Sequence, residues 1–144
     1  MTHRILVAVD DSPQSNAAVT YAVSRHADAD ITLLHVIEYT EKKTSPSRGG
    51  RGRDEGWYAA EREAAEELFD AARETAADHG VELSSDIVDG KPSSEITQYA
   101  ADHDIDTIVM GMRKRSRTGK AVFGSTAQDV LLSADGPVVA IPAP

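Results

Sequence analysis

Ile5-Leu6-Val7-Ala8-Val9-Asp10-Asp11-Ser12-Pro13 is the stretch whose reading decides the fold. An unbroken apolar run of this length reads as a strand buried on both faces. Asp10-Asp11 ends it. Ser12 then reads as an N-cap, and Pro13 as the first helical position, where its missing N–H removes no hydrogen bond. A doubly buried strand running straight into a helix is the opening of a parallel sheet with helices on both sides.

The remaining chain continues that alternation. Ala17, Ala18, Tyr21, Ala22 and Arg25 keep helical spacing, which predicts a helix over residues 13–27. Ile31 to Ile37 is a second apolar run and a second strand. Residues 38–56 contain Ser45-Pro46-Ser47 and Arg48-Gly49-Gly50-Arg51-Gly52-Arg53 without periodicity, and read as a mobile cationic loop. Ala65, Leu68, Phe69, Ala72 and Ala76 form one stripe of a long helix from about Glu55 to His79, stopped by Gly80. Val81 to Val88 alternates apolar and polar residues, as an edge strand does. Gly90-Lys91-Pro92 opens a helix that runs to about His103, and Asp106 to Gly111 is the fourth strand. Gly124-Ser125 opens a last helix, and Pro137 to Ile141 is the fifth strand. The expectation is one domain over residues 1–144: an α/β fold with an open parallel sheet and right-handed crossovers.

Composition narrows the chemistry. The chain has 144 residues and no cysteine, which removes disulfides, Cys-ligated zinc, iron–sulfur clusters and thiol catalysis. No apolar run approaches the ~20 residues of a membrane span, and the first run is too short for a signal-peptide core, so a cytoplasmic protein is expected. There are 24 acidic and 15 basic residues, a net charge of −9. Lys42, Lys43, Arg48, Arg51 and Arg53 form one basic stretch, and Arg113, Lys114, Arg115, Arg117 and Lys120 another; together they hold 10 of the 15 cations. An acidic body repels nucleic acid, while two cationic loops on it point to a local anion site. Asp (14) exceeds Glu (10), and Arg (10) exceeds Lys (5). That bias suggests a halophilic protein kept soluble by a hydrated acidic surface, and full stability in dilute buffer would count against it.

In an open parallel sheet ligands bind beyond the carboxyl ends of the strands, where the strand order reverses. Both cationic loops and Asp10-Asp11 leave carboxyl ends. With strand 1 between strands 2 and 4, they meet at one crevice, which the start of the last helix also faces. The loops and the helix N-terminus suit phosphates, and Asp10 suits ribose hydroxyls.

The chain resembles the universal stress protein family over nearly its whole length. The resemblance rests on Ile5-Leu6-Val7-Ala8-Val9-Asp10 with Ser12, Leu33-Leu34-His35-Val36, Ile108-Val109-Met110-Gly111, Phe123-Gly124-Ser125-Thr126-Ala127 and Pro137-Val138-Val139; residues 38–56 lie outside it. It implies a five-stranded sheet of order 3-2-1-4-5 of the adenine nucleotide alpha-hydrolase-like kind. It also implies a homodimer through the last strand (Val138, Val139, Ala140, Ile141), a role as regulator of the stress response and, in one branch, ATP binding with Mg²⁺. That branch carries Gly-x2-Gly-x9-Gly-(Ser/Thr). Gly111, Gly124 and Ser125 match it, and Lys114 replaces the second glycine. Carried over by position, Asp10 meets the ribose and the Val36 backbone the adenine. Gly111, Gly124, Ser125 and Thr126 line the phosphates, with Ala8, Val9, Met110, Arg113 and Lys114 around them. A lysine in a left-handed backbone position costs on the order of 1 kcal/mol, yet places a mobile cation at a phosphate site.

Other motifs resolve to ordinary roles. Asp10-Asp11 could be a metal pair, but reads as one ligand contact beside one helix-start residue. His26, His79 and His103 sit in last helical turns, where imidazoles complement the dipole, and His35 reads as a satisfied strand residue. Gly90-Lys91-Pro92-Ser93 lacks the upstream glycine and Lys-Ser/Thr pair of a P-loop. Nothing in the spacing argues for turnover, and the His-x-Gly-His and Ser-Gly-Gly-x-Asp-Ser strings of adenylyl transferases and ATP pyrophosphatases are absent. The alternative function is a member of the same family that binds no nucleotide and acts through dimer or partner-protein contacts. RNA binding by residues 42–53 would be nearly abolished in a high-salt cytoplasm.

Overall fold

The computed structural model describes residues 2–38, 55–113 and 124–143. Strands and helices alternate along them: β1 (Arg4–Ala8), α1 (Pro13–Arg25), β2 (Asp30–Ile37), α2 (Glu55–Ala77), β3 (Leu83–Asp89), α3 (Pro92–Asp102), β4 (Thr107–Met112), α4 (Ser125–Ser133) and β5 (Val138–Pro142). The strands form a five-stranded sheet of order β3-β2-β1-β4-β5 in which every pairing is parallel. Both the alternation and the order match the expectation. Pairing of Val7 with Leu33 on one side and with Val109 on the other puts β1 at the centre.

The burial pattern explains why the first run is unbroken. Ile5, Val7 and Val9 face α1 and α2, packing with Ala18, Val19, Ala22, Val23, Ala65, Phe69, Ala72 and Ala76. Leu6 faces the other way and packs with Leu34, Ile96 of α3, Met110, and Ala127 and Val130 of α4. A strand between two helical layers has no wet face, so no position in it can be polar without loss of burial. The β3 edge alternates half-buried and exposed residues, as its sequence does. At the opposite edge, Val138 to Ile141 of β5 are half-buried.

Helix ends follow local chemistry. The Ser12 hydroxyl accepts from the Ser15 N–H at 3.1 Å, and Pro13 occupies the first turn of α1. Gly80, at φ +68°, lets the Val81 N–H return to the Ala76 carbonyl at the end of α2. His79 and His103 donate from Nδ1 to the carbonyls of Thr75 and Tyr99, at 3.2 and 3.0 Å. His26 is the C-cap of α1, and its ring stacks on His3. One boundary needs correction: Gly56, assigned to the loop over residues 38–56, lies in the first turn of α2. The first N–H groups of a helix need no intrahelical partner, so glycine there is poorly favoured but not excluded. The rest of that loop, residues 39–54, lies outside the described residues.

The start of α1 presses against the end of β4. A Cβ placed on Gly111 would stand 2.6 Å from the Gln14 carbonyl carbon and 2.7 Å from its oxygen. That neighbour is backbone in a helical first turn and cannot rotate away. Gly111→Ala is therefore expected to destabilise the fold by about 1–3 kcal/mol, the range for overpacked interiors. In denaturant titration the midpoint falls while the slope is unchanged. A loss under about 0.5 kcal/mol would show that α1 lifts off without cost.

Candidate functional site

β1, β2 and β4 end side by side at the carboxyl edge, and their exits, with the starts of α1, α3 and α4, enclose a cavity of about 310 Å³. That is the lower end of the range for small-molecule sites. Its position is the switch point itself: β1 leads to β2 on one side and pairs with β4 on the other.

Asp10 sits on one wall, held in place from both ends. Its backbone N–H donates to the Ser15 hydroxyl at 2.9 Å, and its Oδ1 accepts from the Ser12 hydroxyl at 2.5 Å. Ser15 is 3% exposed, so this anchor is part of the packed interior. The same Ser12 oxygen caps α1. One hydroxyl therefore fixes both the helix start and the carboxylate. Asp10 itself is exposed, and its Oδ2, with no hydrogen-bond partner among the described residues, can accept two hydrogen bonds from a diol.

A second wall comes from β2. His35 donates from Nδ1 to the Val9 carbonyl at 2.8 Å, and the Val9 N–H donates to the Leu34 carbonyl at 2.9 Å. These bonds continue the pairing of β1 and β2 past the end of the ladder. His35 is thereby a satisfied strand residue, as expected. Val36, Met110 and Ile96 add apolar surface to this side.

The floor is the N-terminus of α4. Its N-cap is Gly124, at φ +79°, with no side-chain cap. The Gln128 N–H reaches back to the Gly124 carbonyl at 3.1 Å, so the N–H groups of Ser125, Thr126 and Ala127 have no partner within the helix. No acidic residue occupies the first turn. Arg113 is exposed at the rim and forms no ion pair among the described residues. Free amides, a helix dipole and a cation favour an anion here. Nearby, the lone carboxylate of Asp10 is exposed and oriented.

Ten residues singled out in the sequence line this cavity: Ala8, Val9, Asp10, Val36, Met110, Gly111, Arg113, Gly124, Ser125 and Thr126. Lys114 lies outside the described residues. Val138, Val139, Ala140 and Ile141 lie apart from it on β5, paired to β4 from Ile108 to Gly111. Sequence reading missed Gln14, Ser15, Leu34, His35, Pro92, Ile96, Met112 and Ala127 as lining, and gave Ser12 only its capping role. The Ser12-x2-Ser15 spacing was a usable signal for Ser15, since a capping oxygen meets the third residue on. Pro92 and Ile96 arrive by tertiary packing of α3 and carry no local signal. Among the described residues no three Asp, Glu, His or Cys side chains gather to hold a metal.

The family model for the universal stress protein family matches residues 1–142. Universal stress protein YxiE of Bacillus subtilis is 28% identical over 98% of this chain and 99% of its own length. The structure of a universal stress protein from Archaeoglobus fulgidus superposes with a TM-score of 0.73 at 27% identity, covering 98% of this chain and 99% of that one. A universal stress protein structure from Archaeoglobus fulgidus in complex with dAMP shares the fold, with a TM-score of 0.68 at 20% identity over 98% of each chain.

Proposed function

The chain belongs to the universal stress protein family, and from that premise we propose that it binds an adenine nucleotide, ATP foremost, as a non-catalytic regulator of the stress response. The observation that carries this reading is the pairing of an uncapped α4 N-terminus with the oriented Asp10 carboxylate across one cavity. Phosphates take the free amides of Ser125 and Thr126 with Arg113 beside them. The ribose diol donates to Asp10, and the base lies along Val36 and Met110. A universal stress protein of Archaeoglobus fulgidus with the same fold has been solved in complex with dAMP, which supports an adenine nucleotide as the ligand class. Mg²⁺ would come with the triphosphate and shield its charge.

The same proposal includes a homodimer. The outer edge of β5 presents the alternate amides that point away from β4, and an apolar strand edge left open is a template for a second copy. Leu132, 78% exposed on α4, is a further exposed apolar side chain.

Calorimetric titration of nucleotide-stripped protein with MgATP, at low and at multimolar KCl, tests the nucleotide. Saturable binding of one ATP per chain is expected. Asp10→Ala should weaken it about tenfold to a hundredfold, as expected for losing hydrogen bonds to a charged acceptor. No heat at either salt, from protein shown to be folded, would overturn the reading. It would favour the family member without nucleotide, for which Lys114 in place of glycine is the supporting feature.

Light scattering on the same samples tests the assembly. A mass twice that of the 15.4 kDa chain is expected, and a monomer at high salt would remove the β5 interface.

A further inference from the structure

A second depression of about 370 Å³ opens beside the first, between the starts of α3 and α4. Pro92, Ser125 and Thr126 line both, so the two spaces meet at the α4 N-terminus. The second is lined otherwise by Glu38, Lys91, Ser93 and Asp129.

Its polar groups are unspent. Ser93 is 7% exposed, and its hydroxyl has no hydrogen-bond partner among the described residues. No partnerless side-chain oxygen there is sealed from solvent, so that hydroxyl opens into the depression. Glu38, Lys91 and Asp129 form no ion pair among the described residues. The start of α3 has no side-chain cap, since its N-cap is Lys91. A buried free hydroxyl, three unpaired charges and two uncapped helix starts thus surround one space.

The charges discriminate between occupants. Among the described lining residues Glu38 and Asp129 are two carboxylates against one cation, Lys91, so a longer phosphate tail would set its negative charge against both. Sugar hydroxyls instead donate to carboxylates, as the first ribose would to Asp10. Phosphate belongs at the junction, over the free amides of Ser125 and Thr126 and within the field of Lys91. We infer that the second depression holds the distal nucleoside of a dinucleoside polyphosphate, whose first nucleoside occupies the cavity beside Asp10. The inference rests on the nucleotide reading above. Its ligand class is two nucleosides joined by a phosphate chain that crosses the start of α4.

Three probes on the full chain separate the possibilities: ATP, adenosine 5′-tetraphosphate and diadenosine tetraphosphate, each titrated with Mg²⁺ by calorimetry. Diadenosine tetraphosphate is expected to bind about tenfold tighter than ATP, one per chain, while the tetraphosphate gains nothing over ATP. The double variant Ser93→Ala/Asp129→Asn should lose that advantage and keep ATP affinity within about twofold of the parent. ATP binding without an advantage for the dinucleotide overturns the inference and leaves the mononucleotide reading standing. An equal gain for the tetraphosphate also overturns it, because the depression then takes phosphate. One dinucleotide per two chains overturns it as well, by bridging subunits. Failure of all three probes overturns both readings.

Discussion

The carboxyl edge of this sheet depends on one close approach: the first turn of α1 lies against Gly111 at the end of β4, where a single carbon would collide with the Gln14 backbone. Because α1 can sit that low, Ser12 reaches both Asp10 and the Ser15 amide, and Ser15 reaches the Asp10 amide. Move the helix outward and the carboxylate loses its orientation while the cavity loses a wall. Interiors are packed closely enough that such a shift is not absorbed locally. The site is thus a by-product of how tightly the central crossover closes.

Much of this was legible in the sequence. The unbroken apolar run at residues 5–9 and the largely apolar one at 31–37 marked strands buried on two sides, and the weaker alternation after Val81 marked an edge. Proline at residues 13 and 92 marked the starts of α1 and α3. Adjacency of β1 and β4, by contrast, needed the family resemblance, since no local pattern encodes which strands pair. Gly111 was assigned to the phosphate site by its motif. It does line the cavity, but its missing side chain answers first to Gln14. His35 shows why other lining residues escaped: its partner, the Val9 carbonyl, is 26 positions away. Contacts of that range leave no periodicity to read.

Charge is distributed in keeping with this layout. The acidic residues of α2, among them Glu63, Glu67 and Asp70, are exposed on a helix face, away from the edge where Arg113 and Lys91 stand. An anion approaching the molecule meets repulsion at the acidic α2 face and, at the site edge, Arg113 and Lys91 set among the carboxylates of Asp10, Glu38 and Asp129. Salt flattens both effects, so ligand selectivity at high ionic strength falls to short-range donors such as the α4 amides.

The two glycines that bound the site are constrained in different ways. Gly111 is short of space, whereas Gly124 has nothing within 4 Å of a built Cβ and is held to glycine by its φ of +79° alone. The first restriction is volumetric: the Cβ of an L residue would run into the Gln14 backbone. The second is purely stereochemical: it excludes an L side chain and would welcome a D one. With ψ at 158° the residue also lies outside the left-handed helical region that asparagine and aspartate tolerate, in a region essentially reserved to glycine. Residue 124 is therefore fixed by its own backbone angles and residue 111 by its neighbour: replacing the first means turning the chain, and replacing the second means moving α1.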